Sequence, residues 1–136
     1  MKRENIYSSE FGTVWYYPDE KIVHHQFLKP ASGEAFRAVI SAGLKAMMEN
    51  DANKWLSDDR QNEILSADDP GWIQDVFIKK AAATKWKYWA IVMPVSERAK
   101  INLNRMISES TKGCQLAAVK IFKEEKEALK WLVEQK

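Results

Sequence analysis

Short apolar runs rich in β-branched and aromatic residues alternate along this chain with longer stretches whose apolar positions recur every three or four residues. Val14-Trp15-Tyr16-Tyr17 and Ile22-Val23-His24-His25-Gln26-Phe27-Leu28 have strand composition, and Pro18-Asp19-Glu20-Lys21 between them suits a tight turn. So short a connection predicts an antiparallel hairpin. After Ser32, a candidate helix cap, Phe36, Val39, Ile40, Gly43, Leu44 and Met47 trace one helical stripe that ends near Asn50. Lys54-Trp55-Leu56-Ser57 predicts a short strand that leaves the sheet through the polar Asp58-Asp59-Arg60. A helical turn is expected within 61–67. Asp69-Pro70 then opens a helix with Trp72, Ile73, Val76 and Phe77 on its buried face.

Tyr88-Trp89-Ala90-Ile91-Val92-Met93 is almost continuously apolar, as suits a strand covered on both faces. Pro94 stops it, and Ser96 precedes a helix carrying Ala99, Leu103, Met106 and Ile107, with Gly113 as its stop. A strand over 116–122 and a helix over 124–134 close the chain. The order β-β-α-β-α-β-α-β-α predicts a single α/β domain over 1–136. Its sheet is a single-layer, mixed, mostly parallel five-stranded one with an antiparallel N-terminal edge hairpin and about four helices.

Composition narrows the functional classes. At 136 residues the chain fits one domain able to bury a core without disulfides or metals. Lys and Arg total 21 against 19 Asp and Glu, and a net charge of +2 gives no electrostatic case for nucleic acid or an anionic membrane. Cys114 is the single cysteine, which excludes an internal disulfide and suits a reducing compartment. There is neither a leader-like apolar segment near the start nor a run long enough to span a bilayer, so a cytoplasmic protein without an integral membrane segment is expected. Six Trp are many for this length and suggest an interface or an apolar pocket beside the core.

The pattern Lys54-Trp55-Leu56-Ser57-Asp58-Asp59-Arg60, then Trp72, then Ala90-Ile91-Val92-Met93-Pro94, and the closing Phe122 with Ala128-Leu129-Lys130-Trp131-Leu132, resembles the STAS domain of anti-sigma-factor antagonists, and more narrowly its small SpoIIAA-like bacterial relatives. The likeness spans nearly the whole chain and rests on packing positions. It implies a non-enzymatic module that binds a protein partner in bacterial signalling, without a cofactor. The phosphoacceptor segment of that family, an Asp-Ser-Ser-Gly-like turn, is replaced here by Leu65-Ser66-Ala67-Asp68-Asp69-Pro70-Gly71. Ser66 is the nearest hydroxyl.

Two candidate sites follow. Ligands of open α/β sheets bind outside the carboxyl ends of the strands, which places Ser57, Asp58, Asp59, Arg60, Ser66 and Asp69 on a partner-binding edge; the alternative role for these residues is capping and solvated loop charge. Trp55, Trp72, Trp89 and Met93 are the candidates for an apolar pocket between sheet and helices, and the kinship of the resembled family with lipid carriers makes a small apolar ligand the second reading. An uncharacterised enzyme is the third, with no residue set to name.

Neighbours on a strand point to opposite faces, so neither His24-His25 nor Asp58-Asp59 makes a metal site alone. Cys114, at a strand entrance, reads as a structural thiol. The aromatic Trp15, Tyr16 and Tyr17, on the expected edge hairpin, suggest a homodimer contact.

Overall fold

A computed structural model describes residues 1–62, 69–94 and 96–136, without the side chains at 97, 99, 102, 103, 106 and 110. The sequence folds into a six-stranded mixed sheet with its strands in chain order: β1 Glu4–Ser8, β2 Gly12–Tyr17, β3 Ile22–Phe27, β4 Lys54–Asp58, β5 Tyr88–Val92 and β6 Ala118–Phe122. The first three strands are antiparallel and β3 to β6 run parallel. The parallel pairs are joined by α1 Gly33–Asn50, by a helical stretch made of α2 Asp69–Trp72, a π turn Ile73–Phe77 and α3 Ile78–Ala81, and by α4 Glu97–Ser110. The chain ends in α5 Glu125–Glu134.

The sheet has one strand more than the sequence pattern predicts. Glu4-Asn5-Ile6-Tyr7-Ser8 carries no apolar run, because β1 is an edge strand with Tyr7 as its one partly buried residue and an irregularity between Asn5 and Tyr7. The hairpin of β2 and β3 is as expected, closed by a bond from the Lys21 N–H to the Tyr17 carbonyl. It is not at the edge, however: β1 covers the outer side of β2, and Tyr16 and Tyr17 are buried.

A sheet in chain order with right-handed crossovers places every crossover on one face, and the other face must then be covered by something else. The packing follows that division. Val14, Tyr16, Val23, Phe27 and Trp55 pack with Phe36, Val39, Ile40, Leu44 and Met47 of α1 and with Phe77 and Ile78. Tyr17, Ile22, Leu56, Ala90, Val92 and Phe122, on the opposite face, pack against Ala128 and Leu132 of α5. The stripe read for α1 is the buried one. Ala99, Leu103 and Met106 lie outside the described side chains, while Ile107 is buried against Ile91, Met93 and Ile121.

Two caps differ from expectation. Ser32 stands at the N-cap of α1 but its side chain makes no capping bond. The carboxylate of Asp69, buried under that helix start, accepts the Gly33 N–H at 3.2 Å and lies 3.6 Å from Arg37 Nε, so a residue distant in sequence satisfies the exposed amide. After α4, the left-handed residue is Gln115, not Gly113.

Gly43 has a packing role in the middle of α1. A Cβ there would lie 2.6 Å from Trp55 Cζ2, so the absent methyl is what lets the indole lie against the helix. Gly43→Ala therefore overpacks the core. The strain, roughly 1–3 kcal/mol, exceeds the roughly 1 kcal/mol gained in helix propensity, and the variant unfolds at lower urea than the parent. An unchanged or raised urea midpoint would refute this account of the glycine.

An aromatic pocket and two buried histidine networks

Successive residues of β3 and β4 point to opposite faces. The parallel register sets His25 opposite Ser57 and His24 opposite Leu56. His25 thus faces the crossover helices with Trp55, while His24 faces α5. Both rings are buried, so neither histidine reaches solvent.

On the crossover face, Trp55 Nε1 donates to His25 Nδ1 at 2.9 Å. An indole nitrogen can only donate, so Nδ1 is the accepting nitrogen and the proton of the neutral ring sits on Nε2. That proton is donated to Asp59 Oδ1 at 2.8 Å. The chain Trp55–His25–Asp59 fixes one tautomer and leaves His25 without a free nitrogen.

These residues border a cavity of about 260 Å³ between β3, β4 and β5 on one side and α1, the π turn, α3 and α4 on the other. Its walls include Phe36, Ile40, Trp55, Phe77, Trp86, Trp89, Ile91 and Met93. Trp86 links the aromatic wall, with ring centroids 5.7 Å from Trp55 and 5.2 Å from Trp89. The π turn helps shape it, because one extra residue per turn brings Ile73, Phe77 and Ile78 to the same wall. Ser57, Asp59 and Asn62 supply polar groups beside the carboxyl end of β4. Ser57 Oγ accepts the Trp89 indole N–H at 2.8 Å, and Asn62 Oδ1 accepts the Ala31 N–H.

On the α5 face lies a second polar network. Arg60 holds Asp58 with both nitrogens, Nε to Oδ1 at 2.9 Å and Nη2 to Oδ2 at 2.6 Å, and lies 3.5 Å from Glu125. Burial alone would raise the Asp58 pKa, but the Arg60 guanidinium and N–H outweigh it and hold the carboxyl below its usual value. Burial, then the hydrogen bond to Asp58, pushes Glu125 the other way. Tyr17 Oη accepts from Arg3 at 3.3 Å and is hydrogen-bonded to His24 Nδ1 at 3.0 Å. His24 Nε2 is left without a hydrogen bond among the described residues, 3.8 Å from Glu125. Burial, which disfavours the charged ring, lowers the His24 pKa to about 3.

The two expected sites are thus placed differently. Of the edge residues, Ser57, Asp58 and Asp69 are buried, and Asp58 and Asp59 point to opposite faces. The Arg60 side chain is about a third exposed and Asp59 less so. Ser66 lies outside the described residues. Of the pocket residues, Trp55, Trp89 and Met93 line the cavity. Trp72 does not: it packs against Phe36 and Phe77 with Arg37 over its ring. Sequence reasoning missed His25, Asp59 and Trp86 as members of one site. Strand alternation places His25 on the Trp55 face, but only the parallel register brings it to Asp59.

Cys114 is buried beside the Ile78 carbonyl, at the strand entrances. Among the described residues no three His, Cys, Asp or Glu side chains cluster to hold a metal ion, and no helix is long and apolar enough to cross a membrane. No protein-family model, curated protein or solved structure matches the chain.

The state of His24 makes stability depend on pH. Unfolded, the ring takes up a proton below its ordinary value of 6.5; folded, it stays neutral to about 3. The unfolded chain therefore binds more protons across that window, and His24's contribution to stability is lost as pH falls through it. The slope from this residue approaches about 1.4 kcal/mol per pH unit. Urea unfolding at a series of pH values checks this: in His24→Gln the fall in stability between pH 6.5 and 4 is shallower than in the parent. Parallel curves would exclude His24 as the source.

Proposed function

We propose that the chain is a small-molecule-binding module whose site is the aromatic cavity between the sheet and the crossover helices. One observation carries this reading: a pocket of about 260 Å³ with almost wholly apolar walls and a few convergent polar groups at the carboxyl end of β4. That is the usual composition of a ligand site, in a volume just below the common size range. The pocket runs along the sheet face under the crossover helices, from Trp55, Trp86 and Trp89 near the strand entrances to Asp59, Asn62 and Met93 at the exits. The volume argues for a compact ligand and against the whole body of a membrane lipid.

Partner docking through the β4 exit, implied by the resemblance to STAS-like regulatory domains, gets less support. Ser57, Asp58 and Asp69 are buried, and their polar atoms serve the fold. Arg60 is the most exposed of the described residues in that set, and its guanidinium is held by Asp58.

Thermal unfolding with benzene or indole as probes tests the proposal. A probe about tenfold above its Kd stabilises the native state by roughly 1.4 kcal/mol and raises Tm by a few degrees. Ile107→Phe, which adds bulk to a residue lining the cavity, abolishes the shift without lowering the Tm of the free protein below the parent's by more than a few degrees. No shift from either probe in the parent would reject the cavity as a ligand site.

A further inference from the structure

The charge arrangement in the cavity wall selects among ligands. Among the described lining residues Asp59 is the one with a formal charge. No cation among the described lining residues cancels it. His25 touches Asp59, but the Trp55 indole N–H occupies the nitrogen that a second proton would need, so the ring beside Asp59 is neutral. Arg60, the adjacent guanidinium, is directed to Asp58 and Glu125 in the network on the other face. Asp59 Oδ1 takes the His25 proton, while Oδ2 takes no hydrogen bond from the described residues.

A carboxylate at the edge of an apolar cavity favours a ligand that brings a positive charge to it and disfavours one that brings a second negative charge. The walls fit the same class. The π faces of tryptophan attract cations, and Trp55, Trp86 and Trp89 form a connected wall.

Taking the cavity as the binding site, we propose that its ligand is a small amine with an aromatic or branched apolar body. Its ammonium group is held at Asp59 Oδ2, and its body lies against Trp55, Trp86 and Trp89. Fatty acids, phosphates and other anions are excluded by the same carboxylate. The Trp55–His25–Asp59 chain is the selectivity device: Trp55 keeps His25 neutral, and His25 orients Asp59 without compensating its charge.

Three probes of nearly equal shape decide this: phenethylamine, phenethyl alcohol and hydrocinnamate, titrated at neutral pH into the protein while the tryptophan indole N–H signals are followed by NMR. The expected result is a Kd for the amine at least about tenfold below that of the alcohol, a difference of about 1.4 kcal/mol, with the carboxylate weakest. In Asp59→Asn the amide oxygen still accepts the His25 proton, so the fold is retained. There the amine loses its advantage and the alcohol binds as before.

If the alcohol or the carboxylate binds as well as the amine in the parent protein, the assignment of an amine is overturned while the cavity stands. If the amine keeps its advantage in Asp59→Asn, the role given to Asp59 is overturned. If no probe moves the indole signals and benzene and indole also fail to bind, the ligand site itself falls, and the amine assignment with it.

Discussion

The parallel register between β3 and β4 is the constraint on which both polar networks depend. It sets His25 beside Ser57 and Gln26 beside Asp58. With a side-chain period of two, His25, Trp55 and Asp59 then share the crossover face, while His24, Asp58 and Arg60 share the α5 face. A slip of one residue would exchange the faces of one strand relative to the other. It would place Trp55 and Leu56 on the wrong sides of the core and separate each histidine from its acid. The hydrophobic demand of the two faces, met by α1 on one side and α5 on the other, holds the register that the polar groups need.

Within that frame, the cavity depends on how one indole is seated. Trp55 packs into the space that Gly43 leaves in α1. From there its ring edge meets Phe77 and Trp86, and its N–H reaches His25. The same side chain is thus a wall of the core, a wall of the pocket and the donor that sets the tautomer of a buried ring. The indole proton has a partner, as a buried donor requires. His25 has no lone pair left for a ligand, so within the Trp55–His25–Asp59 chain the group that remains to meet one is the Asp59 carboxylate.

Much of the scaffold could be read from the chain because its signals are local. The apolar stripe of α1, the Pro94 stop and the continuous Tyr88–Val92 strand each follow from spacing and turn chemistry within a few residues. β1 escaped because an edge strand exposes most of its side chains and so lacks apolar periodicity. The cap on α1 escaped because Asp69 reaches it from 36 positions away. The site was legible in part. Trp55, Trp89 and Met93 were visible as aromatic or apolar residues in or next to strands, but Trp72 on a helix was assigned to the same pocket and instead packs edge-on to Phe36 and tilted against Phe77. Residue types give the wall material. Which side chains meet depends on register and crossover geometry, which no single segment encodes.

The contrast between the two aspartates shows how one turn of chain makes one group structural and leaves the other available. Asp58 is enclosed and held by two guanidinium nitrogens of Arg60, which also lies 3.5 Å from Glu125. Its charge is neutralised within the fold, and removing Arg60 would strand a buried carboxylate. Asp59, one residue later and on the other face, is partly exposed and, among the described residues, its side chain is bonded to the His25 N–H alone. The fold tolerates that residual charge because water reaches it in the free protein. A ligand that fills the cavity displaces that water, and the carboxylate then needs a compensating charge from the ligand. The link between filling the apolar volume and supplying a cation is therefore set by the geometry of the wall, since an apolar body alone would seal the carboxylate away from its solvent.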